Sequence, residues 1–119
     1  MIVIPLEKDE KTLSSRFRKA EVFVFIDKEK GIVFQENHFK TDKSNIFFEN
    51  FNKYDVDRLY IKDLGYKTYL KLQKMNIEVY LIPDEVIEYT HIEPNDLTLL
   101  TTKNAKENCS LGHTKKENS

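Results

Sequence analysis

The chain has 119 residues, 39% of them hydrophobic and 12% aromatic against 33% charged, enough apolar material for one core and too much for a wholly disordered polypeptide. Lys+Arg 19 against Asp+Glu 20 leave a formal charge of -1, so there is no global positive field to hold a nucleic acid. No apolar run approaches the roughly 20 residues of a membrane span, the N-terminal residues are acidic where a leader is basic, and the single cysteine, Cys109, makes no internal disulfide. A soluble, cytoplasmic, single-domain protein is the expectation.

Met1 to Pro5 is a short apolar run closed by proline and reads as a strand buried on both faces. After a polar stretch holding Ser14, Ser15, Arg16, Arg18 and Lys19, the run Val22 to Ile26 is a second strand, rich in aromatic and β-branched residues. Asp27 to Gly31 has turn composition and Ile32 to Phe34 resumes extended structure, so the second and third strands form an antiparallel hairpin. From Ser44, a candidate cap, Phe47, Phe51 and Tyr54 recur at helical spacing. Arg58 to Ile61 is a fourth strand. Gly65 opens an amphipathic helix through Tyr66, Tyr69, Leu70 and Leu72 that ends near Met75, with Asn76 as a left-handed stop. Val79 to Ile82 is a fifth strand ended by Pro83, and Asp84 to Tyr89 starts a last helix that Pro94 interrupts and that restarts around Asn95 to Leu100.

Helices between the later strands call for parallel pairing among strands one, four and five. The expected fold is a three-layer α/β/α domain on a five-stranded mixed sheet, an antiparallel hairpin first and parallel βαβ after it, in the manner of a ribonuclease-H-like motif. It spans residues 1–101, leaving 102–119 as a polar, disordered tail.

Chemistry is sparse. A two-metal nuclease needs carboxylates on central strands, and the first strand carries none, while Asp27 and Asp63 read as turn residues. With Gly 3 in the whole chain there is no phosphate-binding or dinucleotide glycine pattern. Gly65 stands alone before a helix, either as a turn residue or as the start of an anion-accepting N-terminus. His38 and His91 read as surface residues. Cys109 and His113, four apart, can reach one borderline metal ion but leave a tetrahedral site half built. Arg16, Arg18 and Lys19 flank Phe17 in the loop after the first strand. They form either a positive rim where open α/β sheets bind ligands or a solvated basic loop partly balanced by Glu7, Asp9, Glu10 and Glu21.

The opening strand, the segment from Ser15 to Asp27 (SRFRKAEVFVFID), the segment from Val56 to Gly65 (VDRLYIKDLG) and the segment from Leu72 to Tyr80 (LQKMNIEVY) follow in an order and spacing that resembles the dinitrogenase iron-molybdenum cofactor biosynthesis domain family, which includes nitrogenase accessory factors. The resemblance runs from Met1 to about Leu100 and implies a ribonuclease-H-like fold. It also implies a non-catalytic role, binding or escorting an iron-sulfur or iron-molybdenum cluster between a donor and an acceptor protein, with Arg16, Phe17, Arg18 and Gly65 at the cargo site and Cys109 with His113 as a reduced metal-binding tail. Arg16 stands where the family has histidine and Arg18 where it has glycine. An arginine holds an anionic cluster or oxyanion by charge and hydrogen bonds rather than by ligation. The competing expectation is an interaction or regulatory module that has lost cluster binding and meets its partner through Phe39, Phe47 or Phe48.

Overall fold

A computed structural model describes residues 1–109 of the chain. The elements in order are β1 (Ile2–Leu6), β2 (Val22–Asp27), β3 (Gly31–Glu36), α1 (Ser44–Phe51), β4 (Arg58–Ile61), α2 (Tyr66–Lys74), β5 (Glu78–Leu81), two single 3-10 turns (Tyr89–His91 and Pro94–Asp96), β6 (Thr98–Leu99) and α3 (Ala105–Asn108). They build one mixed sheet of order β3-β2-β1-β4-β5-β6. The expected pairings are present. β1 is central, antiparallel to β2 and parallel to β4, and β5 runs parallel to β4. The hairpin register sets Phe25 opposite Val33 and Asp27 opposite Gly31. Gly31 takes φ 82°, the left-handed position that a tight hairpin turn demands, and Asn76 does the same at φ 61° where α2 stops. A sixth strand lies where the sequence predicts a restarted helix over Asn95 to Leu100, since two residues flanked by Leu97 and Leu100 carry no alternating signal. Its pairing of Thr98 and Leu99 with β5 closes that edge.

Because successive strand residues point to opposite faces, the central strands feed two cores. Val3, Phe23, Phe25, Leu59, Ile61 and Val79 face the helices. Ile4, Leu6, Val22, Val24 and Tyr60 face the other way. All three helices lie against the first face. The second is covered not by the expected last helix but by extended chain and the two 3-10 turns, with Val86, Tyr89, Ile92 and Leu97 packed on it. The physical reason lies in its hydrogen bonds. Leu13 N–H donates to the Ile87 carbonyl at 2.8 Å and Tyr89 N–H to that of Lys11 at 3.1 Å, so residues 11–13 claim as an extended partner a segment bounded by Pro83 and Pro94.

The first core is centred on aromatic rings. Phe17, in the basic loop, is buried and meets Phe51 at 5.1 Å and Phe47 at 5.2 Å, both edge-on, with Phe23 at 6.0 Å. The expected cap of α1 differs as well: Lys43 occupies the N-cap position and no side-chain hydrogen bond caps the helix.

Beyond residue 101 the chain stays attached as far as it is described. Asn104 binds Thr101 N–H through Oδ1 and the Leu99 carbonyl through Nδ2, which starts α3, and Ala105 and Cys109 are buried in the helix-side core. Two small side chains one helical turn apart supply an apolar contact that polar composition hides.

Phe17→Ala is expected to lower the unfolding free energy by about 3–5 kcal/mol, the usual cost of emptying a buried aromatic site, as read by urea denaturation. A loss below about 1 kcal/mol would mean that the ring is a loop side chain and not part of the core.

Candidate functional site

In an open sheet with parallel strands, the natural crevice lies beyond the carboxyl ends of those strands. Here these are the ends of β1, β4 and β5, at Leu6, Ile61 and Leu81, and the loops leaving them differ in charge.

The loop over β1 is tightly held. Ser14 is buried. Its N–H donates to the Pro5 carbonyl at 3.0 Å, and its hydroxyl both donates to the Arg16 carbonyl and accepts from Arg16 N–H, each at 3.1 Å. Phe17 drops into the aromatic core. Beyond it, Asn37 is 5% exposed and spends both amide hydrogens on the Arg18 and Ala20 carbonyls, each at 2.9 Å, while its Oδ1 accepts Phe39 N–H at 3.0 Å. Asn37 is the site residue that sequence reasoning missed, because a lone asparagine after a strand looks like a turn residue. Lys40 and Glu21 form an ion pair across the same junction. The Arg18 guanidinium donates to the Asp42 carbonyl at 2.7 Å, tying the loop to the approach to α1. Of the three basic residues, Arg18 is therefore engaged in the fold, while Arg16 and Lys19 are exposed and neither makes an ion pair among the described residues.

Next to β1 in the sheet, β4 leads through Lys62–Gly65 into α2. Gly65 is the N-cap, with φ -69° and ψ 147°, a conformation open to any residue, so backbone freedom does not account for the glycine. The first turn of α2 has no side-chain cap and no acidic residue of its own, but the Asp63 carboxylate stands just before it and accepts Leu64 N–H at 3.0 Å.

The crevice between β4, β5 and the end of α3 has a volume of about 580 Å³ and is bordered by Asp63, Asp84, Asp96 and Lys62, whose ammonium donates to the Asp84 carbonyl at 2.9 Å. This half is acidic. Among the described residues, no group of three or more His, Cys, Asp or Glu side chains is arranged to hold a metal ion.

Cys109 lies on this side of the molecule and is 6% exposed. Burial, reinforced by the nearby Asp63 carboxylate, pushes its thiol up from 9.0 to about 11. The Tyr69 phenol is also pushed up, first by its own burial and then by the neighbouring Cys109 and Tyr66. At neutral pH Cys109 is a protonated packing residue, whereas a metal ligand must be a thiolate. His113 lies outside the described residues. The structure thus sets Cys109 near Asp63 and the start of α2, and puts Phe17 and Arg18 on the α1 side. His38 and His91 are exposed, as expected, and Asp27 is the last residue of β2, at the hairpin turn, where it accepts Glu29 N–H at 2.8 Å, which lowers its carboxyl pKa. Of the aromatics considered for an exposed interaction face, Phe47 is core at 2% exposure, and Phe39 and Phe48 are half-buried.

No family model and no curated protein matches the chain. Two solved structures share its fold. One is the apo form of the orange protein from Desulfovibrio gigas, 21% identical, with a TM-score of 0.56 over 89% of this chain and 82% of that one. The other is a Thermotoga protein named for NifB and placed in the DUF35 family, solved by NMR, 17% identical, with a TM-score of 0.57 over 97% of each chain. At these identities the likeness establishes the open, mixed α/β fold.

Since the folded chain keeps the Cys109 proton at pH values where the unfolded chain releases it, this group's contribution to stability is whole below pH 9.0 and is lost as pH rises through about 11. The stability difference between wild type and Cys109→Ala is expected to shrink across that window in denaturant titrations. Native Cys109 should also react with a thiol reagent at pH 8 far more slowly than the denatured chain. Equal rates would place the thiol in solvent.

Proposed function

We propose that this chain is a non-catalytic, cytoplasmic binding domain that holds or carries an anionic metal cluster of the iron-sulfur or iron-molybdenum type, or a related oxyanion, between a donor and an acceptor protein. The observation that carries this reading is Arg16: an exposed guanidinium without an ion pair among the described residues, on a loop that follows β1 and is held by the Ser14 hydroxyl and by the buried Phe17. A guanidinium presented on an ordered loop retains an anion by charge and hydrogen bonding. The acidic crevice over β4 and β5 repels the same cargo and so favours the β1 side. The loop offers no imidazole or thiolate, so the cargo would be gripped by charge and not ligated. The sequence resemblance to cofactor biosynthesis domains and the shared fold with the orange protein and the Thermotoga protein support the class of cargo.

The reading is tested by the metal and sulfide content and visible absorption of protein purified anaerobically, before and after mixing with a cluster donor. Stoichiometric uptake is expected. Arg16→Ala should weaken retention by about tenfold, the loss of one charged hydrogen bond of roughly 1.5 kcal/mol, and raising the salt concentration should weaken the wild type similarly. Arg18→Ala should act mainly on stability. Absence of uptake, or uptake indifferent to Arg16 and to salt, would contradict the reading and favour the interaction module.

A further inference from the structure

β3 is the outer strand on the long side of the sheet. It pairs with β2 along one edge, and no described element pairs with the other. An unprotected edge is normally blunted by proline, an inward charge or a covering loop. Gly31–Glu36 has no proline and sets its charges only at the ends, Lys30 just before the strand and Glu36 as its last residue, both exposed. Between them Ile32 is 55% exposed and Val33 49%.

The order of these residues identifies the occupant. In an antiparallel ladder, facing residues share the same hydrogen-bonding phase, so the sequence numbers of each facing pair sum to an even number when a strand meets its own copy. Four registers then keep facing pairs within this strand, centred on residues 32, 33, 34 and 35, the last setting Phe34 against Glu36. Centring on Ile32 sets Lys30 against Phe34. Centring on Phe34 sets Ile32 against Glu36 and Val33 against Gln35. Centring on Val33 places Val33 against its counterpart, Ile32 against Phe34 and Lys30 against Glu36, with every pair repeated by the two-fold axis. It also sets Gln35 of the other copy against Gly31, where the position of a Cβ has nothing within 4 Å, beside an open groove of about 160 Å³ formed by Phe25, Val33 and Tyr54. One register thus matches apolar residues on both faces and satisfies two symmetric ion pairs.

We propose that β3 is the dimerisation edge of this protein: two copies pair antiparallel through Lys30 to Glu36, centred on Val33, and join their sheets into one of twelve strands. The contact is self-complementary and closes on itself, as a two-fold interface must. It is narrow, so the dimer is reversible and weak.

Sedimentation equilibrium of the full chain from micromolar to millimolar concentration tests this. A monomer–dimer equilibrium is expected. Val33→Lys, which sets two ammonium groups face to face at the axis, should leave only monomer. Lys30→Glu and Glu36→Lys should each weaken association by about tenfold, since both symmetric pairs become like-charged. An equimolar mixture of these two variants should restore it, because every facing pair is then opposite in charge, and so should the double variant. All the substituted side chains are exposed, and an unchanged circular dichroism spectrum verifies folding. Monomer at every concentration, or a dimer that survives Val33→Lys, would overturn the proposal. So would charge variants whose mixture fails to recover association.

Discussion

The structure depends on one contact above the others, the seating of Phe17 among Phe23, Phe47 and Phe51. β1 ends on the second face of the sheet at Leu6, and the chain must reach β2 through a loop carrying five charges between Lys8 and Arg16. Such a loop has little reason to order itself, since solvated charges contribute almost nothing to a fixed conformation. Burying one large ring anchors it to the helix side, and the aromatic cluster then joins this loop, β2 and α1 into one body. Asn37 works in the same place by a different force. It satisfies two carbonyls that the anchored loop buries and would otherwise leave without donors.

This arrangement separates residues that the sequence sets side by side. Ser14, Arg16, Phe17 and Arg18 lie within five positions, yet one is buried by hydrogen bonding, one projects outward, one is core and one is tied to a carbonyl across the junction. A charge cluster in sequence thereby becomes a single presented guanidinium. The crevice over β4 and β5 is acidic, so an anionic cargo would be drawn away from that half of the sheet end.

What could be read beforehand follows from what leaves a periodic trace. β2, β4 and β5 announce themselves as apolar runs, the hairpin by Gly31, the end of α2 by Asn76, and parallel pairing by the helix between β4 and β5. The covering of the second face did not, because its pattern is that of a helix while its hydrogen bonds go to residues 11–13, some seventy positions away in the chain. Phe17 has the local pattern of a loop residue because its neighbours are charged, and the burial of Asn37, Ala105 and Cys109 depends on tertiary partners that no local pattern encodes. Of the candidate site, the location over β1 was legible from topology. The difference between Arg16 and Arg18 was not, since it is decided by a backbone carbonyl at Asp42.

Presentation of Arg16 requires a loop that is rigid despite its charge, and amide hydrogen exchange of the native protein measures this directly. Ser14 N–H, bonded to the Pro5 carbonyl at 3.0 Å, and Arg16 N–H, bonded to the Ser14 hydroxyl at 3.1 Å, should be protected to a degree approaching β1, and well beyond the hairpin turn at Lys28 to Lys30, which has no packed ring beneath it. Exchange at Ser14 and Arg16 as fast as in that turn would show that the aromatic anchor does not hold the loop and that Arg16 has no fixed position from which to grip a cargo.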